Sequence, residues 1–122
     1  MQRTKDLLAR TKLFALATIK FCEGLPKDET SRVLGRQLLR SGTSVGANYR
    51  AAHRGKSKAD FISKMGTVLE EADESAYWIE LLMDAGKVGA ATPANLLQEA
   101  NELVAIAISS INTARRNLEQ QE

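Results

Sequence analysis

The chain is poor in several things that small proteins of particular classes depend on. It has one cysteine, Cys22, in 122 residues, so no disulfide can form within it. That fits a reducing compartment. The N-terminal MQRTKDLLARTK contains no unbroken apolar segment of the signal-peptide kind, and no hydrophobic run approaches the ~20 residues that span a bilayer. These absences predict a cytoplasmic protein without a membrane. Only two prolines, Pro26 and Pro93, interrupt the sequence, and aromatic residues make up 5% of it. Few breakers and few aromatics favour helix over strand, with a core of Leu, Ile, Val, Ala and Met.

Catalytic and metal-binding signals are also missing. His53 is the single histidine, and a metal site needs further His, Cys or spaced carboxylates. Beside Arg54, it reads as a surface residue. Cys22 has no histidine near it in sequence and reads as a small buried hydrophobe. Glu70, Glu71, Asp73, Glu74 and Glu80 cluster on one segment, but the Glu-x-x-His motif of two-metal helical bundles is absent. They read as a solvated or helix-pairing face. No Arg precedes His53 at the Arg-x(4–6)-His spacing of helical-bundle RNases. The expectation is a non-enzyme with no cofactor and no metal.

What is present is helical. A hydrophobic fraction of 43% beside 26% charge is a globular balance, and the length suits a single domain over 1–122. Helix one is expected over Thr4–Glu23, ended by Gly24-Leu25-Pro26. Helix two is expected over Asp28–Arg54, with Asp28 and Glu29 at its positive end. Ser57 should cap helix three, with Asp60 in the capping-box position, and Gly86 should end it. Thr92-Pro93 reads as N-cap and first residue of helix four. Phe61, Met65, Val68, Leu69, Ala72, Ala76, Ile79 and Met83 form a core stripe, as do Leu96, Ala100, Leu103, Val104, Ala107, Ile111, Ala114 and Leu118. Long helices joined by short turns predict an all-α, antiparallel up-down-up-down four-helix bundle. Leu39, Trp78 and Leu82 are read as lying off the core stripes, which marks them as candidate subunit-interface residues.

Charge is unevenly distributed. Residues 27–56 hold seven Lys/Arg against two acids, and residues 57–86 hold two Lys against seven acids. No acid occurs from Thr30 to Ala59. Within that stretch lie Arg32, Arg36, Arg40, Arg50 and Arg54. Eighteen residues make five helical turns, so Arg32 and Arg50 point the same way, with Arg36 and Arg54 about 40° and Arg40 about 80° further round. Leu34, Leu38, Val45, Tyr49 and Ala52 fall on the opposite side. A continuous helix would carry all five guanidinium groups on one stripe, suited to phosphate oxygens of RNA or DNA. The same stripe could instead be solvated or pair with acids of a neighbour, and both readings stay open. Between its halves, Ser41-Gly42-Thr43-Ser44-Val45-Gly46-Ala47-Asn48 is poor in helix formers. A kink is one reading. Close approach of a neighbouring helix is another, with Ser41, Ser44 and Asn48 bonded across it. A phosphate loop is not expected, since the GxxxxGK[ST] pattern is absent.

The segments QLLRSGTSVGANYRAA, EEADESAYWIELL and the late TARR closely resemble the bacterial four-helix bundle proteins, and the likeness runs over about residues 4–116. The chain is similar to the proteins encoded in intervening sequences of 23S rRNA genes. This resemblance implies an antiparallel four-helix bundle assembled as a ring-shaped homopentamer. It also implies kinship with the accessory protein of diversity-generating retroelements, which binds nucleic acid and partners a reverse transcriptase, a partner expected here only if its gene lies alongside. The family-like positions are Arg40, Ser41, Ser44, Asn48, Arg54 and Glu70 or Glu71, none of them a known catalytic residue. Two functions follow as expectations: a homopentameric nucleic-acid-binding module, or a scaffold whose arginines pair with acidic helices of neighbouring subunits.

Overall fold

The computed structural model describes the backbone of residues 2–89 and 91–121 and the side chains of residues 7–89 and 91–120. Among the described residues the chain is helical throughout apart from short turns, with no strand. The helices are α1 (Gln2–Glu23), α2 (Glu29–His53), α3 (Lys58–Asp84) and α4 (Ala91–Gln121).

Local chemistry sets most of the ends. Asp28 caps α2 by accepting the Ser31 backbone N–H at 2.9 Å and the Ser31 hydroxyl at 3.1 Å. The Ser57 hydroxyl caps α3 by accepting the Asp60 N–H at 3.1 Å, while Asp60 Oδ2 reaches back to the Lys56 N–H at 3.3 Å. One orphan donor at the start of α3 and the N–H just before its cap are thereby satisfied. At the far end Gly86 takes φ +72°, and the N–H groups of Gly86 and Lys87 close onto the carbonyls of Met83 and Leu82, each at 3.0 Å. The left-handed conformation is why a glycine stands there. Thr92 is not the cap expected for α4: the helix already starts at Ala91. Pro93 therefore sits in the first turn, where its missing N–H leaves no bond unmade.

α2 packs on α1 and α3, and α4 packs on α3 and, more sparingly, on α1. The backbones of the diagonal pairs α1/α3 and α2/α4 do not come within 8 Å of each other at any Cα among the described residues. One core cluster joins all four helices, with Phe14, Leu38, Val45, Tyr49, Met65, Ile79, Leu82 and Leu103 almost wholly buried in it.

The polar, glycine-rich middle of α2 does not break the helix. It lets α1 come close. A Cβ at Gly35 would stand 2.7 Å from Leu25 Cδ1, one at Gly42 would stand 2.7 Å from Thr18 Cγ2, and one at Gly46 would stand 3.3 Å from the Thr11 carbonyl oxygen. Contacts thus step up α2 as they step down α1. Thr11 and Thr18 donate their hydroxyls to Leu7 and Phe14 carbonyls of their own helix, at 2.6 and 2.8 Å. That frees the two buried threonines to pack without an unmet polar group. On the other side of α2, Ser41 and Ser75 of α3 share a 2.8 Å hydrogen bond. Asn48 does not bridge helices; its side chain donates to the Ser44 carbonyl one turn earlier.

Candidate nucleic-acid interface

A continuous α2 places Arg32, Arg36, Arg40 and Arg50 on the exposed side of the helix, opposite buried Leu38, Val45, Tyr49 and Ala52, and Arg54, expected as its last residue, follows as its exposed C-cap. The five differ in what holds them. Arg32 donates to Glu29, one turn earlier on the same helix, at 2.6 Å. Arg40 reaches across to α3, where Glu71 accepts at 3.3 Å and Glu74 accepts a second guanidinium N–H. It also donates to Gln37 at 3.2 Å. Arg36, Arg50 and Arg54 have no carboxylate partner among the described residues. The stripe is therefore one surface with three unneutralised guanidinium groups and two that are already engaged.

Beside its first half a depression of about 300 Å³ opens, bordered by Arg32, Arg36 and Lys27 and lined by Gly35, Leu25 and Leu39. Lys27 belongs to this surface although the helical wheel could not include it, because it precedes the helix. Asp28 also lies close by. Its carboxylate is held below the usual range, first by the Ser31 backbone N–H, then by the Ser31 hydroxyl and by Lys87, whose ammonium is 3.4 Å away. Asp28 is thus committed to capping, while Glu29 holds Arg32.

Cys22 donates weakly to the Gly35 carbonyl at 3.5 Å, and burial pushes its thiol up to about 11. A thiol so protonated is a poor nucleophile. Among the described residues no group of three or more His, Cys, Asp or Glu could hold a metal ion, and no helix is long and apolar enough to cross a membrane.

The expected subunit-interface residues scatter. Leu39 is exposed at 39%, but Leu82 is 0% exposed and belongs to the core. The reason is angular. Twenty-one residues separate Leu82 from Phe61, which leaves it about 60° from that residue on the wheel, inside the arc that α3 buries against both α2 and α4. Trp78 is half-buried, packs against the core and donates its indole N–H to Glu74 at 3.0 Å. The large exposed apolar residues instead include Leu8, Leu13, Leu16 and Ile19 of α1. The available signal was that α1 carries apolar residues all round, which is unusual for a helix with a free face.

The model of the family described as 23S rRNA-intervening sequence protein matches residues 4–109. A solved structure from Bacteroides thetaiotaomicron, described as a protein of unknown function from the S23 ribosomal protein family, is similar at 33% identity and a TM-score of 0.80. The similarity covers 86% of this chain and 97% of that one. No curated protein matches.

Proposed function

The chain belongs to the 23S rRNA-intervening sequence protein family, and on that premise we propose that it is a non-catalytic module that binds RNA or DNA through the outer face of α2. In this reading the whole chain is one antiparallel four-helix bundle, working in the cytoplasm as a homo-oligomer, with five subunits favoured by the family resemblance. The observation that carries the proposal is the state of Arg36, Arg50 and Arg54. They are exposed, Arg36 and Arg50 on one face of α2 and Arg54 at its C-cap, and have no carboxylate partner among the described residues. Guanidinium groups left without partners on a rigid helix are suited to phosphate oxygens. No aromatic side chain is interleaved with them on the exposed face, so contacts to the backbone rather than base stacking should dominate. Binding is then weakly sequence-selective and strongly salt-dependent.

Titration of labelled RNA and DNA at several salt concentrations tests this. The slope of log affinity against log salt should be about −0.9 for each phosphate neutralised on duplex DNA. Arg36→Gln/Arg50→Gln should flatten it while leaving helicity and oligomer mass unchanged. Absence of binding by the wild-type protein at low salt removes the proposal.

One observation favours the scaffold reading in part. Arg40 is paired with Glu71 and Glu74, so acids of α3 do accept an arginine of α2, although within one chain. If the double variant loses its oligomer instead of its nucleic-acid affinity, the scaffold reading replaces the first.

A further inference from the structure

The most exposed large apolar side chains of the described chain lie away from α2. Leu13 is 64% and Leu16 53% exposed on α1, with Leu8 and Ile19 near them. A helix apolar on every side is normally covered on every side. Next to Leu13 the sparse α1–α4 seam leaves a groove of about 460 Å³ lined by Leu13, Phe14, Ala17, Phe21 and Leu96.

The charge on this face is mainly basic, with Glu23 an exposed acid at its C-terminal end. By the helical wheel Lys12, Leu16, Lys20 and Leu13 fall within about 100°, and neither lysine has a carboxylate partner among the described residues. Arg10, closer to the seam, is already held by Glu99 at 2.6 Å and Glu102 at 2.9 Å.

Diagonally across the bundle, α3 presents the opposite. Glu80, Asp73, Asp84, Tyr77 and Glu70 fall within about 80° of its wheel and all are exposed. None of the four acids has a cationic partner among the described residues. Tyr77, 53% exposed, projects among them. One face is apolar and mainly basic with a groove; the other is acidic with a protruding aromatic. Because α1 and α3 are diagonal in the bundle, with no Cα pair within 8 Å among the described residues, a single copy can use both outer faces at once.

We infer that the outer face of α1 in one copy docks on the outer face of α3 in the next, with Tyr77 seated against Leu13, Leu16 and the groove beside them. The occupant is a second copy of this chain, and the inference rests on the homo-oligomer reading above. Two different faces in contact make a head-to-tail interface, the kind from which closed rings are built. The apolar centre supplies the buried area, and the lysine–carboxylate rim sets the pairing and its salt dependence.

The test is a charge swap read by size exclusion with light scattering at low salt. Lys12→Glu/Lys20→Glu places acid against acid, and Asp73→Lys/Glu80→Lys places base against base. Each should raise the concentration needed for assembly by about tenfold or more. The quadruple variant carrying all four changes restores complementarity and should recover the wild-type mass. Leu13→Gln/Leu16→Gln should be monomeric with unchanged helicity by far-UV circular dichroism. A wild-type oligomer whose mass ignores both double variants overturns this inference and leaves the oligomer reading standing. So does disruption by the α3 pair alone without rescue in the quadruple variant, which would assign those acids to the α2 arginines of a neighbour. A wild-type monomer overturns both readings. A monomer that floats with phosphatidylglycerol vesicles assigns the α1 face to a membrane surface instead.

Discussion

Arg40 and Trp78 meet at one atom: Glu74 Oε2 accepts both the Arg40 guanidinium N–H and the Trp78 indole N–H, the latter at 3.0 Å. The arginine is thereby tied to α3, and the indole is held along its own helix.

Arg40 should consequently matter less for nucleic-acid binding than its neighbours on the stripe. Arg40→Gln should change the salt slope less than Arg36→Gln, since Arg40 must first leave two carboxylates. Its effect on stability should stay below about 1 kcal/mol, because the pair is partly solvated. Equal loss of slope from Arg40→Gln and Arg36→Gln in the same titration would contradict this.

Gly42 should tolerate no side chain. Alanine would gain about 1 kcal/mol in helix preference, but overpacking against Thr18 costs about 1–3 kcal/mol. Thr18 cannot easily turn aside, since its hydroxyl is bonded to the Phe14 carbonyl. Gly42→Ala should therefore destabilise. Gly66→Ala is the control, because a Cβ there meets nothing within 4 Å and should stabilise by up to about 1 kcal/mol. Urea denaturation of the two variants gives opposite signs if this is right.

Leu82 and Leu39 should separate core from surface. Leu82→Ala should cost about 2–5 kcal/mol through lost burial and the cavity left behind. Leu39→Ala should stay within about 0.5 kcal/mol. Equal midpoints in chemical denaturation would place Leu82 outside the core.

Alkaline stability should depend on Cys22. Its thiol ionises near 9 ordinarily and at about 11 in the fold, so the folded state binds the extra proton in between. Stability is then fully present below about 9 and is lost as pH rises towards about 11. Cys22→Ala should remove that part of the alkaline decline, seen as a flatter plot of melting temperature against pH over this window.

The helices themselves were legible in the sequence, because the signals are local. Asp28, Ser57 and Gly86 cap or end their helices through bonds to groups a few residues away, and the apolar period of α3 and α4 needs only the geometry of one helix. The arginine stripe was legible for the same reason once α2 was taken as continuous. That continuity was not local information. Gly42 and Gly46 weaken an isolated helix, and it is the approach of Thr18 and Thr11 that gives their missing side chains a purpose.

Which surfaces are free was decided by packing. Leu82 lies about 60° from Phe61, just outside the stripe of Phe61, Met65 and Ile79, and its burial follows from α3 packing on both α2 and α4. Leu13 and Leu16 would look like core residues in any apolar helix, but they fall on the side of α1 away from buried Leu7, Thr11, Phe14 and Thr18 and are exposed. The sequence by itself determined the helices, most of their ends and the side of α2 that carries the arginines, since each depends on neighbours along the chain. The tertiary structure alone decided that Arg40 is engaged while Arg36, Arg50 and Arg54 have no carboxylate partner among the described residues. Ion pairing between helices depends on which carboxylates a distant segment brings within reach, and spacing along α2 carries no record of that.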